Sequence, residues 1–195
     1  MSERNDNLGS SKAWFRPLWL GLLVAASAAL TTMYTCVTPF AAFAVIAAMS
    51  LPRGQGLSFM TAVWLANQAV GFAMLSYPWT ASTFAWGAAI GGAAMSGTLA
   101  AQWSVAWLGS LRATARTAFG FAAAFAVYEL ALYVVGVSML GGLGAFAPRI
   151  IGQALLLNAG TLVVLLALKQ LLAVAASTSR RLGVQASRAR RVAVT

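Results

Sequence analysis

The chain has 195 residues, of which 61% are hydrophobic and 8% charged, with a formal net charge of +10. A soluble domain of this length cannot hide so much apolar surface, so the composition calls for lipid as the surrounding medium. It has no histidine and one cysteine, Cys36, which excludes Ser-His-Asp and Cys-His catalysis as well as an intrachain disulfide.

The polar start "MSERNDNLGSSK" reads as part of a tail covering residues 1–16. The apolar run "PLWLGLLVAASAALTTMY" gives a first span over 17–35. Its "ASA" resembles a signal-peptide cleavage site, but the apolar character resumes at once and a retained span fits the rest better. "VTPFAAFAVIAAMSL" gives a short second span over 37–51, either a full crossing or a re-entrant segment, closed by "PRGQG". The third span covers 57–76 and ends at "YPWT"; the fourth covers 80–109 and is followed by Arg112 and Arg116. The fifth covers 117–139, "GGLGAFAPR" turns the chain, and the sixth covers 150–174. Residues 175–195 form a basic cytoplasmic tail. Helices are the expected form, because hydrocarbon offers no other partner to backbone polar groups.

Charge placement orients the spans. With the N-terminus in the cytoplasm, Arg53, Arg112, Arg116 and the cluster "RRLGVQASRARR" all fall inside, and only Arg149 falls outside. The fold class expected is therefore an all-α integral membrane protein, a bundle of six transmembrane helices with both termini cytoplasmic. The basic tail reads as a topology anchor beside anionic lipid rather than a nucleic-acid arm. A bacterial-type cytoplasmic (inner) membrane is the expected location, with the chain crossing it several times.

Small residues recur at helical spacing. Gly21, Ala25 and Ala29 stand four apart in the first span, and Gly87/Gly91 and Gly92/Ser96 do so in the fourth. Such ladders let helices approach closely, though in a chain so rich in alanine they also arise by composition.

The polar residues inside the spans are the functional candidates. Glu129, in "AVYELALYVVG", is the one acidic residue outside the N-terminal tail. Tyr133 lies one turn further on the same face and Gly136 continues it, whereas Tyr128 is expected to point elsewhere. Trp64, Gln68 and Gly71 share a face of the third span, with Asn67 at its edge. The sixth span brings Arg149, Gln153 and Asn158; the fourth brings Ser82, Thr83 and Trp86; the first hairpin brings Tyr34, Thr35, Cys36 and Thr38. Together these gather from the midplane outward. Glu129 is read either as a solute contact, or as a neutral acid or an ion pair with Arg149. The amides are read either as solute contacts or as interhelical glue. Trp79 reads as an interfacial belt residue.

No phosphate-binding loop, carboxylate pair or Cys/His cluster is present, so no catalytic residue and no cofactor are expected and the chain is not expected to be an enzyme. Small helix count, cytoplasmic ends, the Gly21/Ala25/Ala29 ladder and the outward polar pocket resemble the S components of energy-coupling-factor transporters. That resemblance implies capture of a vitamin or other small solute from outside. It also implies contact of the first-helix ladder with a transmembrane coupling subunit driven by separate ATPases. "YTCVTPF" is similar to the Cys-x-Thr/Ser-Pro stretch of the solitary cobalamin-type S components, which would make Cys36 a cobalt ligand for a corrinoid. The alternatives are an accessory or assembly protein whose polar residues hold helices together, and a small proton-coupled carrier using Glu129. The partners expected are the lipid bilayer, a small-molecule solute and the coupling module, with no nucleic acid.

Overall fold

The structure, a computed structural model, describes residue 21, residues 23–25 and residues 38–192, with side chains to residue 172 and at 174. Among the described residues the regular structure is all helical and there is no strand. Residues 21 and 23–25 belong to a first helix, α1. It is followed by α2 (Phe40–Ser50), α3 (Arg53–Ala73), α4 (Ala81–Trp107) and α5 (Ala113–Val135). A π-helical turn (Gly136–Leu140) and a 3-10 turn (Leu143–Phe146) lead into α6 (Pro148–Val192).

The described helices are organised around a short one, α2. Residues Phe40 to Ala47 of α2 are each at most 3% exposed. The reason is its sequence, "FAAFAVIAAMS", which is apolar on every side and so favours burial all round rather than on one face. α3, α4, α5 and α6 all pack against it. Prolines set its length: Pro39 precedes it and Pro52 follows, and neither supplies an N–H to extend the ladder. Eleven residues rise only about 16 Å, against the roughly 30 Å of a hydrocarbon core.

Contacts at the two ends of α2 fix the direction of its neighbours. Asn67 of α3 meets Thr38 at one end, while Gly56 lies beside Ala47 towards the other, so α3 is antiparallel to α2. Trp64 bonds the Gly87 carbonyl and Gln102 bonds the Arg53 carbonyl, so α4 is antiparallel to α3. Asn158 bonds Ala41 and Lys169 bonds Ser50, so α6 runs parallel to α2. The Lys169 ammonium donates to Ser50 Oγ at 2.8 Å, beside the negative end of the α2 dipole.

Glycine permits the closest approach. A Cβ on Gly97 of α4 would lie 2.9 Å from the Ala124 carbonyl oxygen of α5, and one on Gly120 of α5 would lie 3.0 Å from Val105 of α4. Of the two ladders expected in the fourth span, Gly87/Gly91 faces α3, whereas Gly92 and Ser96 are exposed and nothing lies within 4 Å of a Cβ built on Gly92.

Among the described residues three helices are long and apolar enough to cross a membrane: Ala81–Trp107, Ala113–Leu140 and Pro148–Leu172. The expected polar tail, 1–16, and the expected first span, 17–35, lie outside the described residues except at positions 21 and 23–25, and the expected second and third spans differ. α2 is too short, and α3 carries Asn67 and Gln68 in its middle and starts at Arg53 rather than 57, because Pro52 sits at its N-cap. α6 starts at Pro148, where proline at the first helical position costs no hydrogen bond, and stays helical through the expected tail to Val192. α5 starts four residues earlier than expected and continues as the π-helical turn.

Gly97→Leu is expected to lower the thermal unfolding midpoint in detergent, since a backbone carbonyl cannot step aside and overpacking costs about 1–3 kcal/mol. Gly92→Leu, on an open face, leaves the midpoint unchanged.

Candidate functional site

The N-terminus of α2 is the starting point of the site. A helix leaves its first N–H groups unsatisfied. Pro39 at the N-cap offers no side-chain acceptor. The acceptor comes from another helix: Asn158 Oδ1 of α6 takes Ala41 N–H at 3.0 Å and Ala42 N–H at 3.3 Å. The Asn158 amide nitrogen donates back to the Ala154 carbonyl at 2.9 Å. On the other side, the Asn67 amide nitrogen donates to Thr38 Oγ1, and Gln68 Nε2 donates to Asn67 Oδ1 at 3.1 Å. Asn67, Thr38 and Asn158 are buried.

Beside these groups lies a cavity of about 430 Å³. Thr38 and Phe40 stand where α2 begins, Asn67 and Gln68 come from α3, and Thr83, Trp86, Gly87 and Ile90 from α4. α5 contributes Tyr128, Glu129 and Leu132, and α6 contributes Ile150, Ile151, Ala154 and Asn158. Tyr77, between α3 and α4, and Gly142, Ala145 and Phe146, between α5 and α6, complete the wall.

Two glycines of α4 make room for the α3 side chains. A Cβ on Gly87 would fall 2.6 Å from Gln68 Oε1, and one on Gly91 would fall 2.7 Å from the Trp64 indole. The Trp64 indole N–H donates to the Gly87 carbonyl at 2.9 Å. The connection after α5 needs left-handed backbone at Gly141 (φ 74°) and Gly142 (φ 79°), which glycine adopts without cost. It places Phe146 edge-on to Tyr133, with ring centroids 5.4 Å apart.

The structure brings five of the expected solute contacts to one cavity: Asn67, Gln68, Trp86, Glu129 and Asn158. Four others lie elsewhere. Trp64 is spent on the α3–α4 contact, and Tyr133 is exposed and packs on Phe146. Gln153 and Arg149 are exposed and away from the wall. Tyr34, Cys36 and Ala29 lie outside the described residues; Gly21 and Ala25 are exposed, with Leu23 between them buried. Among the described residues Glu129 has neither a hydrogen bond nor an ion pair, so the pairing with Arg149 is not formed.

Tyr128, expected to point elsewhere, instead lines the cavity and packs at a tilt against Phe40, with ring centroids 5.7 Å apart. The usable signal was Gly120–Ala124–Tyr128–Leu132–Gly136, a row at four-residue spacing. Gly120, Ala124 and Gly136 are buried in it, which sets the rotation of α5 about one residue from the face expected through Glu129 and Tyr133. Tyr77 and Phe146 sit in turns, where helical periodicity carries no information.

Comparison with protein-family models, curated proteins and solved structures finds no match to the chain.

Chemically, the site divides in two. Asn158 and Asn67 have their amides engaged in holding helices, whereas the Glu129 carboxyl is unpaired at a cavity wall. Asn158→Ala is expected to cost about 2 kcal/mol or more, the loss of a buried cap that serves two N–H groups. Thermal unfolding in detergent checks this, and Asn158→Asp, which keeps an acceptor, recovers part of the loss.

Proposed function

We propose that the chain is a membrane-embedded subunit that captures a vitamin or other small solute from the outer side for uptake. The cavity beneath the α5–α6 connection, with the unpaired Glu129 in its wall, carries this reading. Its volume of about 430 Å³ lies within the few-hundred-Å³ range of small-molecule sites, and its wall mixes aromatic surface with few polar groups, as such sites do.

On this reading the helices cross a bacterial-type inner membrane with both termini cytoplasmic, as the positive-inside charge pattern favours. Aromatic clusters at the two ends of α4 fit the two interfaces. Phe72, Trp79 and Phe84 pack together at one end, with centroids 5.0–5.8 Å apart. Trp103 and Trp107 stack at 6.5 Å at the other. Phe84 and Trp107 are separated by roughly 35 Å of helix, close to a bilayer core with its interfacial margins. The exposed Gly21 and Ala25 leave a small-residue strip free for the coupling subunit that the S-component resemblance implies.

A second reading also has an observation in its favour. Asn158 on α2 and Asn67 on Thr38 are interhelical glue, as an accessory or assembly protein would use them. That accounts for the amides but leaves Glu129 and the cavity without a role.

Native mass spectrometry of the gently purified protein separates the two. Solute capture predicts a bound small molecule, lost in Leu132→Trp, which fills the cavity, with the unfolding midpoint kept. The glue reading predicts no bound molecule in either protein.

A further inference from the structure

Resting on the solute-capture reading, we infer that the solute is a small organic cation, its charged group set against Glu129 and its body against the surrounding aromatic rings. Among the described residues that line the cavity, Glu129 is the one that carries a charge. No lysine or arginine among the described residues stands in the wall to balance it. Arg149 is exposed on the first turn of α6, and Lys169 is held at the far end of α2 by Ser50.

The other polar groups of the wall are neutral and give an anion no positive charge to meet. The α2 N-terminus faces the cavity, but its Ala41 and Ala42 N–H groups are already taken by Asn158. The Gln68 amide nitrogen is taken by Asn67, and its carbonyl oxygen has no partner among the described residues. The open acceptors of the wall thus include the Glu129 carboxylate and Gln68 Oε1, and only the first carries a charge.

A solute chooses among these terms by its charge. An anion would meet a like charge with no compensating cation in a medium of low polarity. A neutral solute would displace water from the carboxylate without replacing its interactions. A cation supplies the missing partner. Tyr77, Trp86, Tyr128 and Phe146 add aromatic rings to the same cavity, and an aromatic ring attracts a cation that has been stripped of water. An ammonium group carried on a modest apolar body matches both the charge and the wall.

The test titrates the purified full-length protein in detergent with choline, with phenyltrimethylammonium, and with choline's uncharged carbon analogue, in which a tert-butyl group replaces the trimethylammonium. The expected result is that both cations bind wild type at least about tenfold tighter than the uncharged analogue. Glu129→Gln removes that preference, and Leu132→Trp abolishes all binding. The comparison of choline with its analogue uses wild type alone, so it stands even if Glu129→Gln fails to fold. If the uncharged analogue binds wild type as tightly as choline, or Glu129→Gln keeps the preference, the cation assignment is overturned while solute capture survives. If no probe binds and native mass spectrometry shows no bound molecule, solute capture itself falls and the assignment falls with it.

Discussion

The arrangement depends on how the N-terminus of α2 is satisfied. A helix that begins inside an apolar bundle exposes N–H groups to surroundings that cannot bond them, and each unsatisfied group costs on the order of 1–3 kcal/mol. Local sequence does not provide the acceptor, because Pro39 occupies the cap position. Asn158, from a helix far along the chain, provides it for two N–H groups at once. This single amide makes a short central helix tolerable and fixes where α6 stands against it.

The short central helix in turn places the cavity. α2 is surrounded by longer helices, so the bundle cannot be filled by α2 along its whole length. The space at its N-terminal end is walled by α3 to α6 and bounded by the connection at Gly142–Phe146. The same event, a helix starting late, yields both the buried amides that hold the structure and the hollow beside them. That is why structural and candidate binding residues sit side by side, and why Asn67 and Asn158 belong to both sets.

Much of the helical character was legible in the sequence, because apolar runs bounded by Pro, Gly and charge have few other solutions in lipid. The roles of the polar residues were not. Asn158 reads as a polar residue at a given depth, and depth alone does not reveal that another helix begins there. Its partners lie more than a hundred positions away, and Pro39 was the only local hint that a capless start needed outside help. The rotation of α5 is hidden in the sequence for a related reason. Glu129 drew attention to its own row, through Tyr133, while packing is set by the row of Gly120 and Ala124, where the backbone of α4 comes close. Small residues report where a helix is pressed against its neighbour, and a single acid does not.

The two bonds between α2 and α6 constrain movement as well as position. Asn158 holds the start of α2 and Lys169 its end, and the two helices run in the same direction. Sliding α6 along α2 breaks both attachments together and leaves a capless helix in an apolar setting. The α5–α6 connection has no such hold. Its π-helical turn, its two left-handed glycines and the Phe146–Tyr133 contact are kept by backbone turns and ring packing, and most of its residues are exposed. Side-chain hydrogen bonds between helices therefore tie the cavity together where α2, α3 and α6 meet, whereas its margin at Gly142–Phe146 rests on local backbone turns and ring packing.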